Sequence, residues 1–133
     1  MNIFLDDIRI PYEVGNYIFP VTLIDQYRKE EWIIVRNYDE FCQAIEDNYP
    51  YISKISFDHD LADIHYDPST WIEDFEYDEK TGLDCAKFLI DYWQNKNNTK
   101  VKFPQCYIHS MNPVGAKNIK NLINNYLKTN YER

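Results

Sequence analysis

The sequence predicts an α/β fold, a three-layer, doubly wound parallel sheet with four main strands. Two observations carry this. Short runs of strand-forming residues alternate with longer stretches whose apolar residues recur at helical spacing, the pattern of right-handed β-α-β crossovers. Three of the strand-like runs also stop at polar clusters: Asp6-Asp7, Asp58-His59-Asp60 and His109-Ser110. Open parallel sheets bind ligands beyond the carboxyl ends of their strands, so these clusters fall where a site belongs.

Each element follows from local pattern. Asn2 to Leu5 is apolar and ends at two aspartates, as a central strand would. Pro11, Gly15 and Pro20 predict a loop reaching toward residue 20. Trp32-Ile33-Ile34-Val35 is rich in strand formers and reads as the second strand. Asn37 or Asp39 is placed to cap the helix that follows. Phe41, Ala44, Ile45 and Tyr49 form its inward face, and Pro50 ends it. Ile52 to Phe57 is the third strand, with Ile55 and Phe57 on one face.

After Leu61 comes an acidic, aromatic stretch of about twenty residues, long enough to suggest a lid or binding loop. Its Tyr66, Trp71, Phe75 and Tyr77 are placed to stack on a base or to pack the loop onto the sheet. Thr81, with Asp84 at the capping-box offset, opens a helix along Leu83, Ala86, Leu89, Ile90 and Trp93. Gln105 to His109 is the fourth strand, and Gly115 to Leu127 a closing helix turned inward at Ile119, Leu122, Ile123 and Tyr126.

At 133 residues the chain suits one domain spanning 1–133, and an apolar fraction of 44% argues against disorder. The 22 acidic against 14 basic side chains give a net charge of −8, which disfavours general binding to DNA or RNA backbone. A single phosphate needs only two or three donors, so a small nucleotide or RNA terminus is compatible. Cys42, Cys85 and Cys106 form no metal or redox motif and suit free thiols in a reducing compartment. With no signal-like start and no bilayer-length apolar run, a cytoplasmic location without membrane association is expected.

His59 and His109 are the two histidines at strand ends; His65 lies in the long loop. Imidazole titrates near neutrality, so a pair can supply one base and one acid for opening a cyclic phosphate. Asp58 and Asp60 flank His59, and either can orient a histidine; Asp60 can equally cap a neighbouring element. Asp6, Asp7 and Asp58 form an oxygen-rich set suited to magnesium or manganese. A metal-free histidine mechanism remains open beside it. Arg9 and Arg36 offer planar forks for phosphate oxygens, or ion-pair partners for the aspartates. Ser110, Asn112 and Asn118 surround the start of the last helix, where exposed N–H groups favour an anion. Asn112 can also be simply its N-cap.

At Asp6-Asp7, Asp58 and Ser110 the chain resembles the receiver domains of response regulators, a flavodoxin-like doubly wound fold. It is more similar to a divergent branch, the cyclic-phosphate-processing receiver-like domains. The resemblance rests on Leu5-Asp6-Asp7-Ile8-Arg9-Ile10-Pro11, Val35-Arg36 and Ser56-Phe57-Asp58-His59-Asp60-Leu61. It continues in Thr81-Gly82-Leu83-Asp84 and in His109 through Ile119. It implies a hydrolase acting as a phosphodiesterase on the cyclic phosphate of a nucleotide or RNA end, with His59, His109, Asp58 and Asp60 catalytic. The lysine that follows the fifth strand of a receiver has no counterpart: Lys102 precedes strand four and Lys117 lies on a helix. The sheet is therefore expected to be truncated, and phosphorelay signalling is disfavoured. The alternative is a non-catalytic module binding phosphate, nucleotide or a divalent metal, or using its acidic surface to hold a protein partner.

Overall fold

The computed structural model describes residues 1–16, 21–61, 80–110 and 112–130. His65 and the loop aromatics Tyr66, Trp71, Phe75 and Tyr77 lie outside them. Four parallel strands, β1 (Asn2–Leu5), β2 (Ile33–Val35), β3 (Lys54–Phe57) and β4 (Gln105–Ile108), form one sheet in the order β2-β1-β3-β4. This is the receiver-like, flavodoxin-like α/β arrangement with four strands. The reversal of direction between β1 and β3 makes their carboxyl ends the switch point.

The alternation of side chains along the strands divides the core in two. Ile3, Leu5, Ile55 and Phe57 face one way and pack with α2 (Tyr38–Asn48), α3 (Gly82–Lys96) and α4 (Pro113–Asn130) through Phe41, Ile45, Leu89 and Ile119. Phe4 faces the other way, into a smaller cluster with Val14, Trp32 and Tyr27 of α1 (Val21–Lys29). Right-handed crossovers require this: strands added in opposite directions put their helices on opposite faces. No described helix is long and apolar enough to cross a membrane.

The expected caps hold. Asn37 Oδ1 accepts the Glu40 N–H at 2.8 Å to start α2, and the Asp84 carboxylate accepts the Thr81 N–H at 2.8 Å to start α3. The closing helix is longer at both ends than expected; at its start Asn112 is the cap, as one of its two expected roles had it, and Pro113 fits the first turn. Two elements depart from the expected loop before β2. Pro11–Asn16 is a 3-10 helix, and α1 follows it. Ile24 and Tyr27 are the buried apolar residues described on α1.

Candidate functional site

One residue beyond each strand, the ladder continues. The N–H of Asp6 donates to Val35 O (3.1 Å), that of Asp58 to Leu5 O (2.9 Å) and that of His109 to Phe57 O (3.0 Å). Asp6, Asp58 and His109 are thus fixed by backbone in one row along the carboxyl edge. By alternation their side chains start from the face that carries Phe4 and Ser56.

Asp6, Asp7 and Asp58 each bring a carboxylate oxygen within 4.8 Å of the others. Their electrostatics differ. Burial pushes Asp6 upward, but bonds from His109 and from the N–H groups of Arg9 and Ile8 outweigh it and hold the carboxyl at about 2. Asp58, equally withdrawn from water, receives among the described residues the His59 N–H alone, at 2.8 Å. Burial and the neighbouring charges of Asp6 and Asp7 push it up to about 6. The site therefore has an excess of negative charge that a cation would relieve. Three hard oxygen donors suit magnesium or manganese, so these residues fit such an ion.

His109 lies elsewhere than a histidine pair requires. Its ring, 1% exposed, stacks on Phe4 with centroids 4.3 Å apart, and both nitrogens are taken. Nε2 reaches across β3 to Asp6 Oδ2 at 3.0 Å, and Nδ1 meets Ser56 Oγ at 2.6 Å. Ser56 Oγ in turn shares a hydrogen bond with Tyr27 Oη at 2.7 Å. Burial pushes the imidazole below its ordinary range, against the pull of Asp6. The geometry thus makes His109 a neutral internal link rather than a group facing a substrate.

His59 is placed on the other side of the edge, against α4. It is partly exposed, and its Nδ1 bonds Asp60 Oδ1 at 2.9 Å. Among the described residues Nε2 has no hydrogen-bond partner. Asn112 clamps this pair to α4: its Oδ1 accepts the Gly115 N–H at 3.0 Å while its Nδ2 donates to both Asp60 oxygens at 3.3 and 3.4 Å. The residue is thus both N-cap and contact to the site. Two glycines make room. A Cβ on Gly115 would sit 2.3 Å from His59 Cγ, and one on Gly82 would sit 1.8 Å from the Asp58 carbonyl oxygen.

The two arginines divide. Arg36 Nη1 donates to the carbonyls of Arg9 (2.6 Å) and Asp6 (3.3 Å), so it braces the turn after β1. Arg9 Nη1 stands 3.8 Å from Asp6 Oδ2, at the carboxylate cluster. Ser110 Oγ accepts the Asn112 N–H at 3.1 Å and so helps shape the approach to α4. Asn118 is exposed in the second turn of α4, and no described residue joins it to the cluster. Asp84 is engaged as a cap. The cysteines offer no nucleophile, since burial pushes all three thiols up.

Gly115 was expected at the start of the last helix, but not its close approach to His59; Ser56, Tyr27 and Gly82 carried no expected role in the site. A serine inside the apolar run Ile55-Ser56-Phe57 is a visible signal, because a hydroxyl there needs a buried partner. No such signal marks Tyr27 in a chain with 12 tyrosines. Among known proteins, a family model described as a cyclic-phosphate processing receiver domain matches residues 1–125. No curated protein and no solved structure matches the chain.

Proposed function

The chain belongs to the cyclic-phosphate processing receiver domains, and from that premise we propose that it hydrolyses a cyclic phosphate on a nucleotide or RNA end. His59 is the proton-transfer group, and Asp60 is its orienting partner. Asp6, Asp7 and Asp58 hold a divalent cation, and Arg9 neutralises the phosphate. The observation that carries this is the His59–Asp60 bond of 2.9 Å on a residue whose backbone N–H is tied to Asp58, one of the three converging carboxylates.

A carboxylate accepts only, so the bond fixes the His59 proton on Nδ1 and leaves Nε2 as the base. Water then forms a bond to phosphorus as one ribose oxygen departs. Nε2 takes the water proton, and the resulting imidazolium returns it to that ribose oxygen, leaving a phosphomonoester. Bound at the carboxylates, magnesium or manganese would supply charge neutralisation to the phosphate. The acid and base roles expected of two histidines thus pass to His59 alone, because both nitrogens of His109 are engaged inside the protein.

Turnover of 2′,3′-cyclic nucleotides, with manganese and with chelator, tests this. His59→Ala should lose about 100-fold or more in kcat, the usual contribution of a positioned base. No turnover under any metal condition, or full activity in His59→Ala, sinks the proposal. A second reading, a module that binds metal or phosphate without chemistry, is favoured by one fact: the carboxylate set is complete without either histidine. Calorimetric binding of manganese without product would select it.

A further inference from the structure

We infer that Ser56 and Tyr27 are positioning residues for the carboxylate cluster: the buried chain Tyr27–Ser56–His109 sets which lone pair of Asp6 is left for a cation. This depends on the cation-binding reading of Asp6, Asp7 and Asp58 above.

The direction of every proton follows from the donors present. Asp6 Oδ2 only accepts, so the 3.0 Å contact requires the proton on His109 Nε2. A neutral imidazole then has a bare Nδ1, and the 2.6 Å contact requires the Ser56 hydroxyl to donate to it. Having given its one proton, Ser56 Oγ accepts from Tyr27 Oη across 2.7 Å. On Asp6 itself, Oδ1 receives two N–H groups, from Ile8 at 3.0 Å and Arg9 at 2.9 Å, which occupy both its lone pairs. Oδ2 receives His109, has Arg9 Nη1 3.8 Å away, and among the described residues accepts no second hydrogen bond. The cluster is therefore offered a single, aimed donor from Asp6 rather than a rotating carboxylate.

Packing alone does not account for the chain. Phe4, Val14 and Trp32 supply the apolar part of this layer, Gln26 of α1 is also buried and accepts from Lys54 Nζ, and Ser56 is fully buried. A hydroxyl placed there costs stability unless it is fully bonded, and alanine would avoid the cost. All these links converge on Asp6.

The test uses the full chain and manganese alone as probe, with affinity read by calorimetry and the His109 tautomer read by nitrogen NMR without metal. The wild type should show His109 protonated at Nε2. Ser56→Ala should bind manganese about 10-fold more weakly, since outer partners of metal ligands typically carry that much, and should lose the single tautomer. Tyr27→Phe, which keeps the ring packed, should show a smaller loss in the same direction. Wild-type affinity and an unchanged tautomer in both variants, even with lowered thermal stability, would overturn the inference and leave the cation site standing. Absence of manganese binding in the wild type would instead remove the cation reading itself, and the inference with it.

Discussion

Replacing Gly115 with alanine separates the site from the stability of the fold. All three of the nearest atoms to the added methyl belong to the His59 ring, at 2.3, 2.6 and 2.7 Å, and none to backbone. Ordinary contact begins near 3.4 Å, so the imidazole must retreat by roughly 1 Å. That displacement is enough to break the 2.9 Å bond to Asp60 Oδ1 and release the tautomer it enforces. A misplacement of about 1 Å at a reacting group costs on the order of 100-fold in rate. The helix, meanwhile, gains, because alanine is favoured over glycine there by at most about 1 kcal/mol. Gly115→Ala should therefore lose about 100-fold in kcat on a 2′,3′-cyclic nucleotide while its melting temperature holds or rises. The displaced ring should also show a changed chemical shift for the His59 protons, which is measurable without substrate. Full activity together with an unmoved His59 spectrum would refute the argument.

Other expectations follow from the same geometry. Asp58, raised to about 6 in the folded chain, binds its proton more tightly folded than unfolded. The stability that Asp58 contributes without metal should consequently be lost as pH rises from about 4 to 6, on the order of 3 kcal/mol, with no further change above. Asp6, held at about 2, contributes in the opposite sense: its stabilisation is present above pH 4 and lost as pH falls toward 2. The buried His109, held below its ordinary range, contributes with the sign opposite to that of Asp58 in the same window. The Asp58 part is therefore read as the difference between wild type and Asp58→Asn in urea unfolding from pH 4.5 to 7.5; Asp58→Asn should also remove any stabilisation by added magnesium. An identical pH dependence in the two proteins would refute the raised Asp58 carboxyl. Asn112→Ala should cost about 1 kcal/mol of stability as a lost N-cap and also lower activity, since it frees Asp60. A stability loss with unaltered kcat would confine Asn112 to capping.

The strands were legible because each is a short run rich in strand-forming residues that stops at polar or charged residues. The caps at Asn37 and Thr81 were legible for the same local reason. The row of Asp6, Asp58 and His109 was also readable, since position after a strand is a matter of counting. What side chains do one step past a strand is not. Nothing local says that His109 folds back over Ser56 and lies on Phe4, because that depends on a small residue on β3 and a ring on β1. Nor does spacing reveal that His59 is seated against Gly115, more than fifty positions away. The two histidines look equivalent in sequence; packing alone makes one internal and leaves the other accessible.

The strand order has a consequence for how the molecule meets its own copies. Among the described residues the sheet ends at β2 on one flank and at β4 on the other, and open flanks invite intermolecular pairing. Here β2 is 3 residues long and β4 is 4. Pro104, which has no N–H to offer, immediately precedes β4. A foreign segment docking on either flank would find only two or three ladder bonds to make. Brevity of the outer strands thus stands in for the covering that further sheet would have given, and self-templated aggregation is discouraged without adding residues.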